Sequence, residues 1–171
     1  MDPSEVKRML EVARRIESIC PVASRKQEPK PEELFHLLVT ESELNECCRK
    51  LFMDGHYANA VLEAYKCLNN YVRTKVASSE DGSDLMKKVF SAKSPELRIS
   101  RFRGKSNYNE QLGYMEIYSG CMTGIRNPRA HEHAHKDAPE EALELIILAN
   151  HLMRKAKQAK RVRRKRNSTH G

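Results

Sequence analysis

The stretch LFMDGHYANAVLEAYKCLNNYVR, residues 51–73, shows the helical pattern on which the fold class depends. After Gly55, apolar residues recur at steps of three and four from Tyr57 to Val72. That period is typical of an amphipathic α-helix, and Gly55 supplies a permissive turn after the helix that precedes it. The stretch therefore predicts a helical hairpin.

Composition agrees with a helical fold. A chain of 171 residues with 39% apolar content can build one domain with a sizeable core, and 6% aromatic residues with no Trp favour helices over a β-sandwich. Four main helices are expected: one from Glu32, continuous or interrupted, the hairpin's second helix, a third from near Asn107 and a last one after Asp137. A short helix, capped by Ser83 or Asp84, is expected between the second and third. The predicted class is all-α.

Four parts are expected along the chain. Residues 1–20 form an amphipathic helix, capped at Asp2 with Pro3 in the first turn. Residues 21–31 hold three prolines without periodicity and form a linker. Residues 32–157 form the helical domain, and residues 158–171 form a basic tail that is expected to be disordered.

The positions of the charged residues and the cysteines indicate the cellular compartment in which the protein is expected. The nine Lys and Arg residues between Arg154 and Arg166 account for the whole net charge of +8, so the rest of the chain is near neutral. The five cysteines lack CxxC spacing and are expected to be reduced and mostly buried. No stretch approaches the ~18 apolar residues of a membrane span, which predicts a cytoplasmic protein that does not enter the membrane.

The third helix carries an unusual number of glycines, Gly113, Gly120 and Gly124. Each costs about 1 kcal/mol of helix stability relative to Ala. Two readings stay open: another backbone approaches this helix closely, or the helix already frays at Gly124.

The segment GIRNPRAHEHAHKDAPEE, residues 124–141, is expected to be the loop between the last two helices. Pro128 disfavours the α conformation at the preceding residue, so the third helix should end at or just after Arg126. Asp137, with Glu140 three residues later, is expected to cap the last helix. The loop would present Arg126 and His131 together, although on an unbroken helix they would lie about 140° apart.

An arginine and a histidine in one loop suit phosphate chemistry. Histidine can move a proton near neutral pH, and arginine can hold developing negative charge. Cleavage of RNA needs no metal, because its own 2′-hydroxyl can act as the nucleophile. The run His131, His133 and His135 could hold a metal, but only Glu132 and Asp137 stand nearby as further ligands. No metal and no cofactor is expected.

Four stretches in order carry a resemblance to a known family. They are the hairpin at residues 51–73, DGSDLMKKVFS at 81–91, GIRNPRAH at 124–131 and EEALELIILANHLMRKA at 140–156. RNPRAH resembles the R-x(4–6)-H motif of the HEPN superfamily. The fuller pattern, over about residues 40–157, is similar to the Ymh-type prokaryotic family associated with abortive infection.

The resemblance implies an HEPN-like helical bundle with metal-independent endoribonuclease activity. Two copies of the motif would meet across a homodimer and form one composite site. Arg126 would stabilise the pentacoordinate phosphate, His131 would act as general acid or base, and Asn127 would orient or contact phosphate. A role in phage defence or a toxin-like system, with an antitoxin or defence-system partner, is also implied. His133 stands where toxins silenced by nucleotide transfer carry Tyr, so the resemblance does not imply that mode of control.

Other residues could contact RNA, and other functions stay open. Contacts to RNA are expected from Arg129 and His133 in the loop and from Arg161, Arg163, Arg164 and Lys165 in the tail, since such cations neutralise phosphates in a salt-dependent way. The alternative function is a non-catalytic helical RNA-binding or protein-interaction module, because the hairpin also resembles one tetratricopeptide unit. Only one such hairpin is visible, whereas repeat arrays need about three.

Overall fold

A computed structural model describes residues 2–19, 29–100, 104–132 and 134–162. The chain divides into two compact units, residues 1–30 and 31–171. The first unit holds helix α1, Pro3–Ile19. The Asp2 side chain accepts a hydrogen bond from the backbone N–H of Ser4 at 3.2 Å. This confirms the predicted N-terminal helix and its start at Asp2, while residues 20–28, most of the predicted linker, lie outside the described residues.

The second unit is almost entirely helical, which confirms the all-α class. Its helical hairpin is also confirmed, with Gly55 in the left-handed region at a φ of 79° between the two helices. In chain order the elements are α2 (Pro31–Leu38), α3 (Ser42–Met53), α4 (Tyr57–Val76), α5 (Gly82–Val89), β1 (Leu97–Arg98), α6 (Gly104–Cys121), a π-helical turn (Met122–Arg126), α7 (Asn127–His131), α8 (Pro139–Gln158) and β2 (Lys160–Arg161).

Helix α4 lies at the centre of this unit, where it packs against α3 on one side and α8 on another. Two fully buried tyrosines, one on α4 and one on α6, donate hydrogen bonds from their hydroxyl groups to backbone carbonyls of α8. Tyr65 of α4 donates to the Leu145 carbonyl at 3.0 Å, and Tyr118 of α6 donates to the Leu152 carbonyl at 2.6 Å. The Tyr118 ring also stacks on Phe90 at a centroid distance of 4.2 Å, so the end of α5 joins the same core.

The helix expected from Glu32 is interrupted between α2 and α3. Asn150 of α8, almost fully buried, fills the break with its amide group. Its Oδ1 accepts from the backbone N–H groups of Thr40 and Glu41 at 2.9 Å each, and its Nδ2 donates to the Leu38 carbonyl at 3.3 Å. These bonds satisfy backbone groups that the break would otherwise leave unpaired.

The segment between α5 and α6 showed no sequence periodicity, and a single buried side chain holds much of it in place. Gln111 of α6 accepts from the Ile99 N–H and donates to the Phe90 and Leu97 carbonyls, all at 3.0 Å. A glutamine can make these bonds together because its amide carries both donors and an acceptor. The two-residue strand β1 is thereby fixed against the bundle.

Three predicted boundaries are wrong. Helix α6 begins at Gly104, three residues before the predicted Asn107. Helix α5 begins at Gly82 rather than after a Ser83 or Asp84 cap, since the Gly82 N–H donates to Asn69 Oδ1 at 2.9 Å and its φ of 59° suits glycine. The predicted disordered tail starts too early, because Lys160–Arg161 form β2, which pairs antiparallel with β1.

The cysteines that the structure describes are all reduced thiols. Cys48 and Cys121 are buried, and Cys67 is partly buried, as the sequence predicted, whereas Cys47 is exposed. Burial raises the pKa of Cys48 to about 12, because an apolar environment disfavours the thiolate. Cys48 therefore behaves as a small apolar core residue.

Candidate functional site

The helix that carries the RNPRAH motif is not broken at Pro128, so the predicted end at Arg126 is wrong. Arg126 and Asn127 both have right-handed helical dihedral angles, with φ values of −69° and −65°. Helical structure continues from Gly104 to His131, and the connecting loop begins only at Glu132. The motif therefore lies on a helix rather than in a tight loop.

A π-helical turn allows the helix to pass through the proline. In a regular α-helix the ring of Pro128 would clash with the carbonyl four residues earlier, that of Gly124. In the turn Met122–Arg126 the Asn127 N–H donates to the Met122 carbonyl, five residues earlier, which widens the backbone just before Pro128. Such turns are common at functional sites in helices.

Continuity of the helix separates the two key side chains of the motif. Arg126 and His131 are five residues apart, so they leave the helix about 140° apart. Arg126 turns toward α4 and α5, whereas His131 is exposed at the end of α7. The prediction that one chain brings both side chains into one loop is wrong, since the break on which it rested is absent.

Arg126 is held in a partly enclosed position. Its side chain is 25% exposed, and Nη2 contacts Asp81 Oδ2 at 3.2 Å. Nη1 donates to Asn127 Oδ1 at 3.3 Å. Its Nε is buried and has no hydrogen-bond partner in the part of the chain that the structure describes. A guanidinium has five N–H donors, so this one keeps donors available beyond its protein contacts.

Asp81, at the start of α5, is the acidic partner that sequence reasoning missed. Arg73 Nη1 lies 3.7 Å from its Oδ1, and the Asn69 amide donates to the same oxygen. The carboxylate thus joins two arginines from separate helices and orients Arg126 across the α4–α5 junction. It stands 45 positions before Arg126, so no local spacing pointed to it.

Arg129 is in a buried ion pair with Asp137. Its side chain is 5% exposed and that of Asp137 is 1% exposed. Nε donates to Asp137 Oδ2 at 2.7 Å, Nη2 bonds the other carboxylate oxygen, and Nη1 donates to the Ile125 carbonyl at 3.0 Å. These contacts occupy the guanidinium that was expected to contact RNA. The prediction that Asp137 caps the last helix is wrong, because α8 begins at Pro139 after Ala138.

The ion pair also fixes the loop before α8. His135 Nε2 lies 3.1 Å from Asp137 Oδ1. Burial favours the neutral form of Asp137, but the hydrogen bonds and charges of Arg129 and His135 outweigh burial and lower the pKa of that carboxyl. Beside this loop is a cavity of about 320 Å³, lined by residues 55–59 at the start of α4 and by residues 135–137. His133 lies outside the described residues.

Three glycines of the motif helix meet no neighbour among the residues that the structure describes. A Cβ built at Gly113, Gly120 or Gly124 would have no heavy atom of another described element within 4 Å, so the described part of the chain does not make the predicted close approach of another backbone. Nor does the helix end at Gly124, since the π-helical turn includes it. Ile117 lies between the first two glycines and is 45% exposed.

Several cations near the C-terminus belong to the folded unit. Lys155 lies 3.6 Å from Glu110, Lys157 pairs with Glu41 and Glu43, and Arg154 lies 3.5 Å from Glu41. Arg161 donates to the Val76 carbonyl at 3.2 Å. That bond gives Arg161 a structural role at the end of α4, which was not expected of an RNA-contacting tail residue. Arg163, Arg164 and Lys165 lie outside the described residues.

Among the residues that the structure describes, no group of three or more His, Cys, Asp or Glu side chains is arranged to hold a metal ion. Within the same residues no helix combines the length and apolar character needed to cross a membrane.

The fold defines a class: an all-α domain whose arginine–histidine motif lies on a helix with a π-helical turn. The chain belongs to a family of proteins of unknown function, Hypoth_ymh, whose model matches residues 39–156. The match begins just after α2, ends near the end of α8 and includes the motif, which confirms the resemblance to the Ymh-type family. No curated protein and no solved structure matches the chain.

Proposed function

We propose that this protein is a metal-independent endoribonuclease of the HEPN type, acting as a homodimer. The observation that carries the proposal is the position of Arg126 after a π-helical turn: its side chain is 25% exposed, Asn127 lies beside it, and its Nη atoms have N–H groups beyond those bonded to Asp81 and Asn127. An arginine held in this way is suited to an anion that arrives from outside, because it forms charge-assisted bonds without first leaving a complete set of protein partners.

Each residue of the motif has a chemical role in this proposal. His131 removes the proton of the RNA 2′-hydroxyl, or protonates the departing 5′-oxygen. The 2′-oxygen attacks the adjacent phosphorus, the P–O5′ bond breaks, and a 2′,3′-cyclic phosphate and a 5′-hydroxyl result. Arg126 stabilises the extra negative charge on the pentacoordinate phosphate, and Asn127 orients the guanidinium.

The directions of Arg126 and His131 suit a site that is formed by two copies of the chain. Arg126 and His131 leave one helix about 140° apart, so the two groups reach one phosphate more readily when they come from different copies. The stripe Gly113, Ile117 and Gly120 follows one face of α6 at helical spacing and carries an exposed apolar side chain. This face supports contact between copies, since glycines allow two helices to approach closely. The expected setting is phage defence or a toxin-like system with an inhibitory partner.

The test is cleavage of labelled single-stranded RNA in excess EDTA. We expect the parent protein to leave 2′,3′-cyclic phosphate ends. Arg126→Ala should reduce the rate by about 10²–10³-fold, as does loss of one transition-state donor elsewhere. His131→Ala should reduce it similarly, while His36→Ala, an exposed histidine on α2, should cleave like the parent.

Three outcomes would contradict the proposal. Equal cleavage by parent and His131→Ala would remove the motif from the chemistry. RNA binding without cleavage by any variant would favour the alternative, a non-catalytic RNA-binding module. A monomer that binds a protein partner, with no response to Arg126→Ala, would favour a protein-interaction module.

A further inference from the structure

The two-stranded ribbon places two cations side by side. Strands β1 and β2 pair antiparallel, with Leu97 opposite Arg161 and Arg98 opposite Lys160. The Val162 N–H donates to the Glu96 carbonyl at 2.9 Å, which extends the pairing by one residue. Because successive side chains of a strand point to opposite faces, Arg98 and Lys160 share one face, and the buried Leu97 lies on the other.

This pairing sets two like charges opposite each other, on a face that by the same alternation also carries Glu96. Residues directly opposite each other in an antiparallel pair have Cα atoms about 4.5–5.5 Å apart, and like charges in that position are destabilising. Both side chains are exposed, and neither makes an ion pair with an acidic group among the residues that the structure describes. An anion bound between them would remove the repulsion.

The neighbouring cations differ in this respect. Arg154, Lys155 and Lys157 all have acidic partners on the bundle, and Arg161 donates to a backbone carbonyl of α4. Lys160 is therefore the cation of residues 154–161 that these contacts leave unpaired. It faces Arg98, 62 positions earlier in the sequence, so the fold brings the pair together.

The sequence that follows β2 continues the charge. Residues 160–166, KRVRRKR, hold six cations and one apolar residue, Val162. Such a run suits a phosphate backbone better than a membrane surface, because membrane-binding segments add an apolar face that enters the lipid. The ribbon holds the first cation of the run against the folded unit, which reduces the entropy lost when a strand of RNA binds.

We propose that the face formed by Arg98 and Lys160 is a phosphate-contact site for single-stranded RNA, separate from the Arg126 and His131 motif. RNA as the ligand rests on the proposed function. The ribbon binds the strand outside the cleaved bond. Its contribution is to affinity and not to the chemical step, since neither cation belongs to the motif.

The test is the salt dependence of RNA binding, measured by fluorescence anisotropy in a His131→Ala background so that the RNA stays intact. The logarithm of the binding constant falls with the logarithm of salt concentration by about 0.7 per neutralised phosphate of a single strand. The double variant Arg98→Gln/Lys160→Gln should therefore lower the magnitude of this slope by about 1.4. The matched variant Arg49→Gln/Lys87→Gln removes the same charge from exposed positions on α3 and α5 and should leave the slope unchanged.

Two further variants separate this contact from a structural effect. Arg98→Lys/Lys160→Arg keeps both charges and should keep the parent slope. Arg161→Gln should lower thermal stability while changing the slope less than the ribbon pair does, because its guanidinium bonds the Val76 carbonyl. If every variant loses RNA affinity in proportion to the fall in its melting temperature, the effect is structural and the proposal is overturned.

The remaining outcomes are decisive as well. Equal slopes for the ribbon variant and its matched control would overturn the site, as would a parent that binds no RNA. If the ribbon variant binds anionic phospholipid vesicles more weakly than the parent but keeps the parent slope for RNA, the RNA site is overturned in favour of a lipid-binding surface. A ribbon-dependent slope in a protein that cleaves nothing would support the site while the nuclease proposal fails.

Discussion

Replacing Asp137 by asparagine should lower the free energy of unfolding by about 3–5 kcal/mol. Asparagine keeps the size of the side chain but leaves the Arg129 guanidinium without a counter-charge at a position where only 5% of that side chain is exposed. Removing one partner of a buried ion pair lowers the free energy of unfolding by about 3–5 kcal/mol, because the remaining charge stays in a poorly solvated environment. The loss is a large fraction of the stability of an ordinary domain.

The substitution separates two explanations of the same residue. If Asp137 were the N-cap of α8, as the sequence predicted, asparagine would serve about equally well and stability would hardly change. In the buried pair, by contrast, asparagine cannot neutralise Arg129. Urea unfolding followed by circular dichroism should show the lower midpoint, and thermal melting should fall by about 6–20 °C at roughly 2–4 °C per kcal/mol.

An exposed ion pair supplies the control. Lys50 on α3 and Asp54 just after that helix have side chains that are 87% and 45% exposed, so Asp54→Asn should cost at most about 1 kcal/mol. The double variant Arg129→Met/Asp137→Leu should regain much of the loss, since apolar replacement of a buried pair is often close to neutral. A loss for Asp137→Asn no larger than that for Asp54→Asn would refute the reasoning.

Three more predictions follow from described contacts. The pKa of Asp137 is lowered below its usual 3.8 in the folded state. The contribution of this carboxylate to the stability of the fold is therefore complete above pH 3.8 and is lost as the pH falls through the folded pKa. The urea midpoint of the parent should drop in acid, and that of Asp137→Asn should drop less. Asn150→Leu should cost about 1–3 kcal/mol in urea unfolding, because it leaves the Thr40 and Glu41 N–H groups unpaired, and an unchanged midpoint would contradict their role. Tyr118→Phe should cost about 1 kcal/mol by the same measurement, since it removes the donor to the Leu152 carbonyl, whereas equal midpoints would mean that water replaces it.

Local sequence patterns predicted the helices well. The cap at Asp2, the turn at Gly55 and the apolar period of α4 are signals that a few neighbouring residues carry completely. They could be read because helix starts, turns and amphipathic faces depend on spacings of one to four residues. The sequence allowed an interruption between α2 and α3 but did not predict its position. The reason is that Asn150, which accepts the hydrogen bond of the Thr40 N–H at the break, lies 110 positions from Thr40.

The site was less predictable because its contacts are between distant parts of the chain. Pro128 is a reliable signal against a regular α-helix, but a π-helical turn evades the rule, and no residue pattern announced it. Asp137 was expected to be a helix cap and no pattern pointed to Asp81, whereas their carboxylates bind arginines of the motif helix. Spacing identified Arg126, Asn127 and His131 as one motif without giving the directions of their side chains.

The π-helical turn has a consequence for the phase of the whole helix. A hydrogen bond from residue 127 to residue 122 encloses one residue more than an α-helical bond, so the turn acts as a single-residue insertion. The residues after it are rotated about the axis relative to a continuous α-helix. Tyr118 can therefore face the core while Arg126 faces Asp81, and neither register constrains the other. A shortening of this turn by one residue would leave the length of the domain almost unchanged and would reset the direction of every side chain in the motif.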